Sequence, residues 1–191
     1  MSEARNNENI KNTRNELIRA GIRELHERGI ADFSIRRVAA SCGVSCAAPY
    51  RHFKNKEDFI DSIIGYINRK WYLEQNMILS EYTTTRERLV EISVAYVRFL
   101  VENPDYYAII MLNIDGGSVI SGMNLSICTK GLIKNYCNEK AMRRDDRERK
   151  TFVVRSLIFG AAAMILSGEL PNTEKSFDMV RELVEREFEI V

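Results

Sequence analysis

A chain of 191 residues with 45% hydrophobic and 29% charged side chains has the size and composition of a soluble globular protein with one or two small domains. Its net charge of +1 names no polyanionic partner, and three prolines among 191 residues favour long helices over many short strands. Cys42, Cys46, Cys128 and Cys137 lack the paired spacing of a zinc site, and only two histidines are present to complete one, so neither a metal nor another cofactor is expected. The polar N-terminus lacks a secretory signal pattern, and the longest uncharged apolar run, Ser156–Gly168, is too short to span a bilayer. A cytoplasmic protein with reduced thiols and no membrane partner is therefore expected.

Residues 1–10 are polar. Thr13-x-x-Glu16 then matches a capping box, and Leu17, Ala20, Gly21 and Leu25 follow at helical spacing up to a stop at Gly29. Ser34 caps a short helix to Ser41. Gly43 breaks it, and Ser45 opens a third helix to about Phe53. Asn55-x-x-Asp58 starts a longer helix through Phe59, Ile63, Ile67 and Trp71. After the joint Thr83–Thr85, Leu89, Ile92, Tyr96, Phe99 and Leu100 form a one-sided helix that ends before Asn103-Pro104. Pro104 opens the next helix, Asp115-Gly116-Gly117 reads as a loop, and a helix is predicted over Val119–Met142. Arg143–Lys150 reads as a solvated connection. A helix over Glu148–Leu166 is apolar nearly all round, and a last helix covers Thr173–Glu189.

Charge is distributed unevenly. Phe33–Lys56 holds Arg36, Arg37, Arg51, Lys54 and Lys56 and no acid, which suits either a compact nucleic-acid surface or a solvated basic face. The two short helices flanking Gly43 decide between them. Gly43 supplies a residue tolerant of positive φ at the turn, and Ala39 a small side chain where two helices cross. Val38, Cys42 and Val44 lock the pair. Ser45, Cys46, Ala47 and Ala48 keep the second helix slim enough for a major groove, with Pro49 in its first turn. This is a helix-turn-helix at about Ser34–Phe53.

The string Val38–Lys56 (VAASCGVSCAAPYRHFKNK) resembles the DNA-binding domain of the tetracycline-repressor (TetR) family, and the likeness extends over about Thr13–Tyr66. The resemblance implies an all-α protein. A three-helix helix-turn-helix DNA-binding domain over 1–58 would precede a helical effector-binding and dimerisation domain over 59–191. It also implies a homodimer that binds a double-stranded DNA operator and is released by a small, apolar or amphipathic effector. The Trp-x-x-x-His-Gly motif of some members is absent, since the aligned stretch Arg155–Gly160 holds neither Trp nor His.

Ser34, Tyr50, His52 and Lys56 are candidate phosphate contacts, because each can donate a hydrogen bond without reading sequence. The resemblance supports Tyr50, His52 and Lys56. Ser45, Cys46, Ala48 and Arg51 are the candidate base contacts; Arg51 suits guanine or a phosphate equally. Of Arg36 and Arg37, one is expected to reach DNA and the other to stay solvated. Cys46 is a groove-facing residue or a redox-sensitive thiol. Phe53 and Phe59 belong to the core. Tyr96, Phe99, Tyr106, Tyr107, Met111, Met123 and Phe152 are candidates to line an effector pocket, with plain core packing as the alternative. Leu157, Gly160, Met164, Val180, Leu183 and Val184 are candidates for a dimer interface. No phosphate-cradling loop, nucleophile elbow or metal cluster is present, so catalysis is not expected. The competing readings are an inducer-independent DNA-binding architectural or occlusion factor, and a helical protein-interaction module.

Overall fold

The computed structural model describes residues 2–112 and 127–189, with side chains from 12 to 111 and from 127 to 189. The expected loop at Asp115–Gly117, the start of the helix expected from Val119, and Met123 lie outside the described residues. In chain order the helices are α1 (Ser2–Arg28), α2 (Ile35–Ser41), α3 (Lys56–Glu81), α4 (Thr85–Glu102), α5 (Pro104–Leu112), α6 (Ile127–Glu139), α7 (Arg144–Leu166) and α8 (Glu174–Glu187), with a 3-10 turn at Pro49–Arg51. No strand occurs among the described residues, in keeping with the all-α expectation. Two compact units form, one from 2–69 and 105–112, the other from 70–104 and 127–189. The boundary expected at 58/59 falls inside α3, which crosses it unbroken.

In the first unit, α1 begins well before Thr13. Residues 2–12 contain neither glycine nor proline, so nothing stops the helix from extending past the Thr13-x-x-Glu16 pattern. Gly29 ends α1 at φ +70°, its N–H donating to the Leu25 carbonyl at 2.9 Å. Ser34 caps α2, as its sequence position requires. A reciprocal cap starts α3: Asn55 Oδ1 accepts from the Asp58 N–H at 2.8 Å, and Asp58 Oδ2 accepts from the Lys54 N–H at 2.7 Å. Leu17, Ile18, Leu25, Val38, Ala39, Phe53, Phe59, Ile60 and Ile63 fill the core. Phe53 and Phe59 stack at 3.9 Å, with Phe33 edge-on to Phe59 at 5.5 Å. Each large side chain so buried contributes roughly 1.5–3 kcal/mol of transfer free energy.

In the second unit α4 is central, packed by α6, α7 and α8. Its sequence predicts one apolar side, but Val90, Val94, Val97 and Val101 are buried along with Leu89, Ile92, Tyr96, Phe99 and Leu100. With α6, α7 and α8 packed on it, α4 buries apolar residues on more than one side. Thr84 and Glu87 form a capping box at its start. The stretch Arg143–Lys150 is not a connection: α7 starts at Arg144, and its first turns carry an Arg144–Glu148 pair at 3.0 Å. Lys150 is 1% exposed. Its ammonium donates to the Glu187 carbonyl, lies 3.3 Å from Glu187 Oε1, and sits over the Phe188 ring. Burial of a charge is sustained by those partners at the end of α8.

Candidate nucleic-acid interface

Helix α2 and the turn after it are built around Ala39 and Gly43. Ala39 is fully buried, and its carbonyl accepts from the Val44 N–H at 3.1 Å. Gly43 holds φ +67°, the left-handed conformation the turn requires. Val38 is buried, while Cys42 and Val44 are half-buried.

The expected α-helix over Ser45–Phe53 does not form. The segment is a turn followed by the 3-10 turn at Pro49–Arg51. Proline has no N–H to give to the Ser45 carbonyl, and the Ala48 N–H takes that acceptor instead at 2.9 Å. Arg51 then bonds to the Ala48 carbonyl at 3.2 Å and His52 to that of Pro49 at 2.9 Å, so the tighter winding persists.

Ser45, Cys46 and Arg51 are exposed and Ala48 is half-buried. Tyr50 is 59% exposed, which leaves its hydroxyl open to an acceptor. His52 is half-buried beside Phe53. Burial, reinforced by the charges of Arg14 and Arg51, lowers its imidazole below the usual histidine range. This favours the neutral ring, which can donate a hydrogen bond without a formal charge. Lys56 donates to the Ala31 carbonyl at 3.0 Å, which ties the start of α3 to the loop after α1 and leaves two ammonium protons. Ser34 caps α2, its Oγ accepting from the Arg37 N–H at 3.4 Å.

Arg36 and Arg37, indistinguishable in the sequence, are distinct in the structure. Arg37 Nε donates to Glu24 Oε1 at 2.7 Å, and Arg37 also donates to the Asp32 carbonyl. That hydrogen bond with Glu24 raises the guanidinium above its ordinary range. Arg36 is exposed. Nothing in the spacing of Glu24 from Arg37 signals the pairing, since the two lie on different helices.

The residues expected at an effector pocket are divided between the two units. Tyr96 and Phe99 pack against Trp71 at 4.8 and 5.3 Å, as buried core. Tyr106, Tyr107 and Met111 are half-buried in the other unit. Phe152 is 72% exposed, because the inward face of α7 belongs to Lys150, Val154, Ile158, Ala162 and Ile165. The expected interface residues also separate. Gly160, Met164 and Leu183 are exposed and Leu157 half-buried, but Val180 and Val184 are buried within the unit's own core. On an amphipathic helix one apolar stripe cannot face both core and partner.

Among the described residues no group of three His, Cys, Asp or Glu side chains is placed to hold a metal ion, and no helix is long and apolar enough to cross a membrane. Residues 17–63 match the sequence profile of "Bacterial regulatory proteins, tetR family". The nucleoid occlusion factors SlmA of Sodalis glossinidius and of Yersinia enterocolitica are each 34% identical over 99 residues, 51% of this chain and 50% of theirs. The chain thus spans about half the length of the curated relatives it matches. A TetR family transcription regulator from Marinobacter aquaeolei shares the fold at a TM-score of 0.77 and 16% identity, over 96% of this chain and 97% of that one. FadR from Bacillus subtilis, solved in complex with stearoyl-CoA, superimposes at 0.70 with 14% identity, over 92% and 98%. Residues 17–63 thus carry the domain that this profile of tetR-family regulatory proteins describes.

Proposed function

We propose that the chain is a cytoplasmic, homodimeric transcription regulator that reads a palindromic operator and leaves it on binding a small apolar or amphipathic effector. The observation that carries the DNA reading is the acid-free segment Ser45–Arg51, exposed at Ser45, Cys46, Ala47, Tyr50 and Arg51 and followed by a buried aromatic stack. On this reading Ser34, Tyr50, His52 and Lys56 grip phosphates, while Ser45, Cys46, Ala48 and Arg51 face base edges. Residues 1–58 serve recognition, and 59–191 serve effector binding and pairing. The effector class has indirect support: a protein of the same fold holds stearoyl-CoA. Repression follows as the mode of action if effector binding releases DNA.

A second reading, a DNA-binding occlusion factor without an effector, is favoured by the identity shared with nucleoid occlusion factors over 99 residues. Selection of random duplexes and of genomic fragments by the purified protein, with and without stearoyl-CoA or free stearate, separates the two. Enrichment of one inverted repeat, lost with the probe, supports the regulator. Many enriched genomic fragments, indifferent to the probe, support occlusion. Tyr50→Ala is expected to weaken binding to all sequences alike, and Arg51→Ala to relax preference at one position of each half-site. No enrichment at all refutes both.

A further inference from the structure

Glu24 is an acid placed inside the DNA-binding unit, where its charge opposes an approaching phosphate backbone. Its surroundings account for its presence. The carboxylate lies on α1 with its side chain only 11% exposed, and its Oε1 accepts two hydrogen bonds and closes an ion pair. The donors are the Ser34 backbone N–H at 3.2 Å and Arg37 Nε at 2.7 Å, and Arg37 Nη2 lies 2.5 Å from the same oxygen as the ion pair. Arg37 extends the network to the Asp32 carbonyl, and its own N–H reaches Ser34 Oγ at 3.4 Å. The loop 32–34 and the first turn of α2 are thereby tied to α1 through one side chain.

The network also sorts the two adjacent arginines. A phosphate drawn to Arg37 would come to rest beside the Glu24 carboxylate, and Arg37 would have to leave its fork to meet it squarely. Both arginines are exposed, but among the described residues the Arg36 side chain has no ion pair or hydrogen bond. We propose that Glu24 is a positioning residue for DNA recognition: it holds the loop and first turn of α2 against α1, neutralises Arg37, and leaves Arg36 as the phosphate-gripping cation. The proposal rests on the DNA-binding reading above.

The two are tested separately. Wild-type selection of an operator duplex tests the reading; if no duplex is enriched, the proposal falls with it. With the selected duplex, the affinity is then followed against salt concentration for Glu24→Ala, Arg36→Ala and Arg37→Ala, with thermal melts establishing that each variant is folded at the assay temperature. Each phosphate contact contributes about 0.9 to the slope of log affinity against log salt. Arg36→Ala is expected to lower the slope by about that amount. Arg37→Ala is expected to leave it unchanged while weakening binding. Glu24→Ala is expected to lower affinity by about tenfold, although it makes the surface more positive. A purely electrostatic role predicts the opposite sign. Glu24→Gln, which keeps an acceptor for the Ser34 N–H, is expected to recover part of the loss and serves if the alanine variant does not fold. Stronger binding with a steeper slope on removing Glu24, or a slope that falls with Arg37→Ala, overturns the proposal.

Discussion

Ala141 is the sole non-glycine residue at positive φ among the described residues, at +51°. It turns the chain out of α6, with the Met142 N–H bonded to the Cys137 carbonyl at 2.8 Å and the Ala141 N–H to that of Asn138 at 3.1 Å. A Cβ in this region costs roughly 1–2 kcal/mol, and glycine returns part of that through the entropy of its unfolded chain. Ala141→Gly is therefore expected to stabilise the protein by about 0.5–1 kcal/mol, raising the melting temperature by about 1–4 °C in calorimetry. A lower melting temperature would show that the turn does not need the left-handed conformation. Glycines at Gly29 and Gly43 made two such turns legible in the sequence. Ala141 gave no sign, because the residue type argues for helix. Glu24 and Lys150 were illegible for a related reason: their partners lie 13 and 37 positions away, and spacing along one helix carries no record of a contact between helices.

Helix starts were read well where a side chain caps its own helix. Ser34, Asn55 with Asp58, and Pro104 each lie where the chain turns into a helix. Two kinds of element were misread. The reading segment Ser45–Phe53 has the composition of a helix, but one missing N–H at Pro49 diverts its hydrogen bonds to the shorter pattern. The charged run Arg143–Lys150 looks like solvated loop, but alternating signs three and four residues apart are compatible with an exposed first turn of helix. The Thr84–Glu87 box shows what such local signals are worth. Thr84 Oγ1 accepts from the Glu87 N–H at 3.2 Å, and Glu87 Oε2 from the Thr84 N–H at 3.0 Å, at the head of the most enclosed helix of its unit. Thr84→Ala removes the first bond and is expected to cost about 1 kcal/mol, read as a lower urea midpoint at constant slope. Thr84→Ser should restore the midpoint. An unchanged midpoint in the alanine variant would mean that α4 is held by its packing alone.

At the scale of the whole molecule, the two terminal helices divide their apolar residues between two tasks. On α8, Phe177, Val180 and Val184 face the unit's core, while Met179 and Leu183 are exposed at 41% and 40%. On α7, Val154, Ile158, Ala162 and Ile165 are buried, and Phe152, Gly160 and Met164 are exposed. Exposed apolar stripes on both helices fit the two-fold pairing proposed above, in which each stripe meets its own copy. A small side chain at Gly160 suits close approach of a second backbone. The division yields a prediction with two opposite signatures. Leu183→Glu combined with Met164→Glu is expected to leave a folded chain, with the mass by light scattering halved at micromolar concentration. Affinity for a two-half-site duplex should then fall to that of one reading unit, a loss on the order of 100-fold from the missing second contact. Val184→Glu, one residue further along, places a charge in the core and is expected to lose cooperative melting altogether. If the double variant stays dimeric, the pairing surface lies elsewhere and the exposed stripes of α7 and α8 serve another partner. If it melts like Val184→Glu, the stripes belong to the core after all.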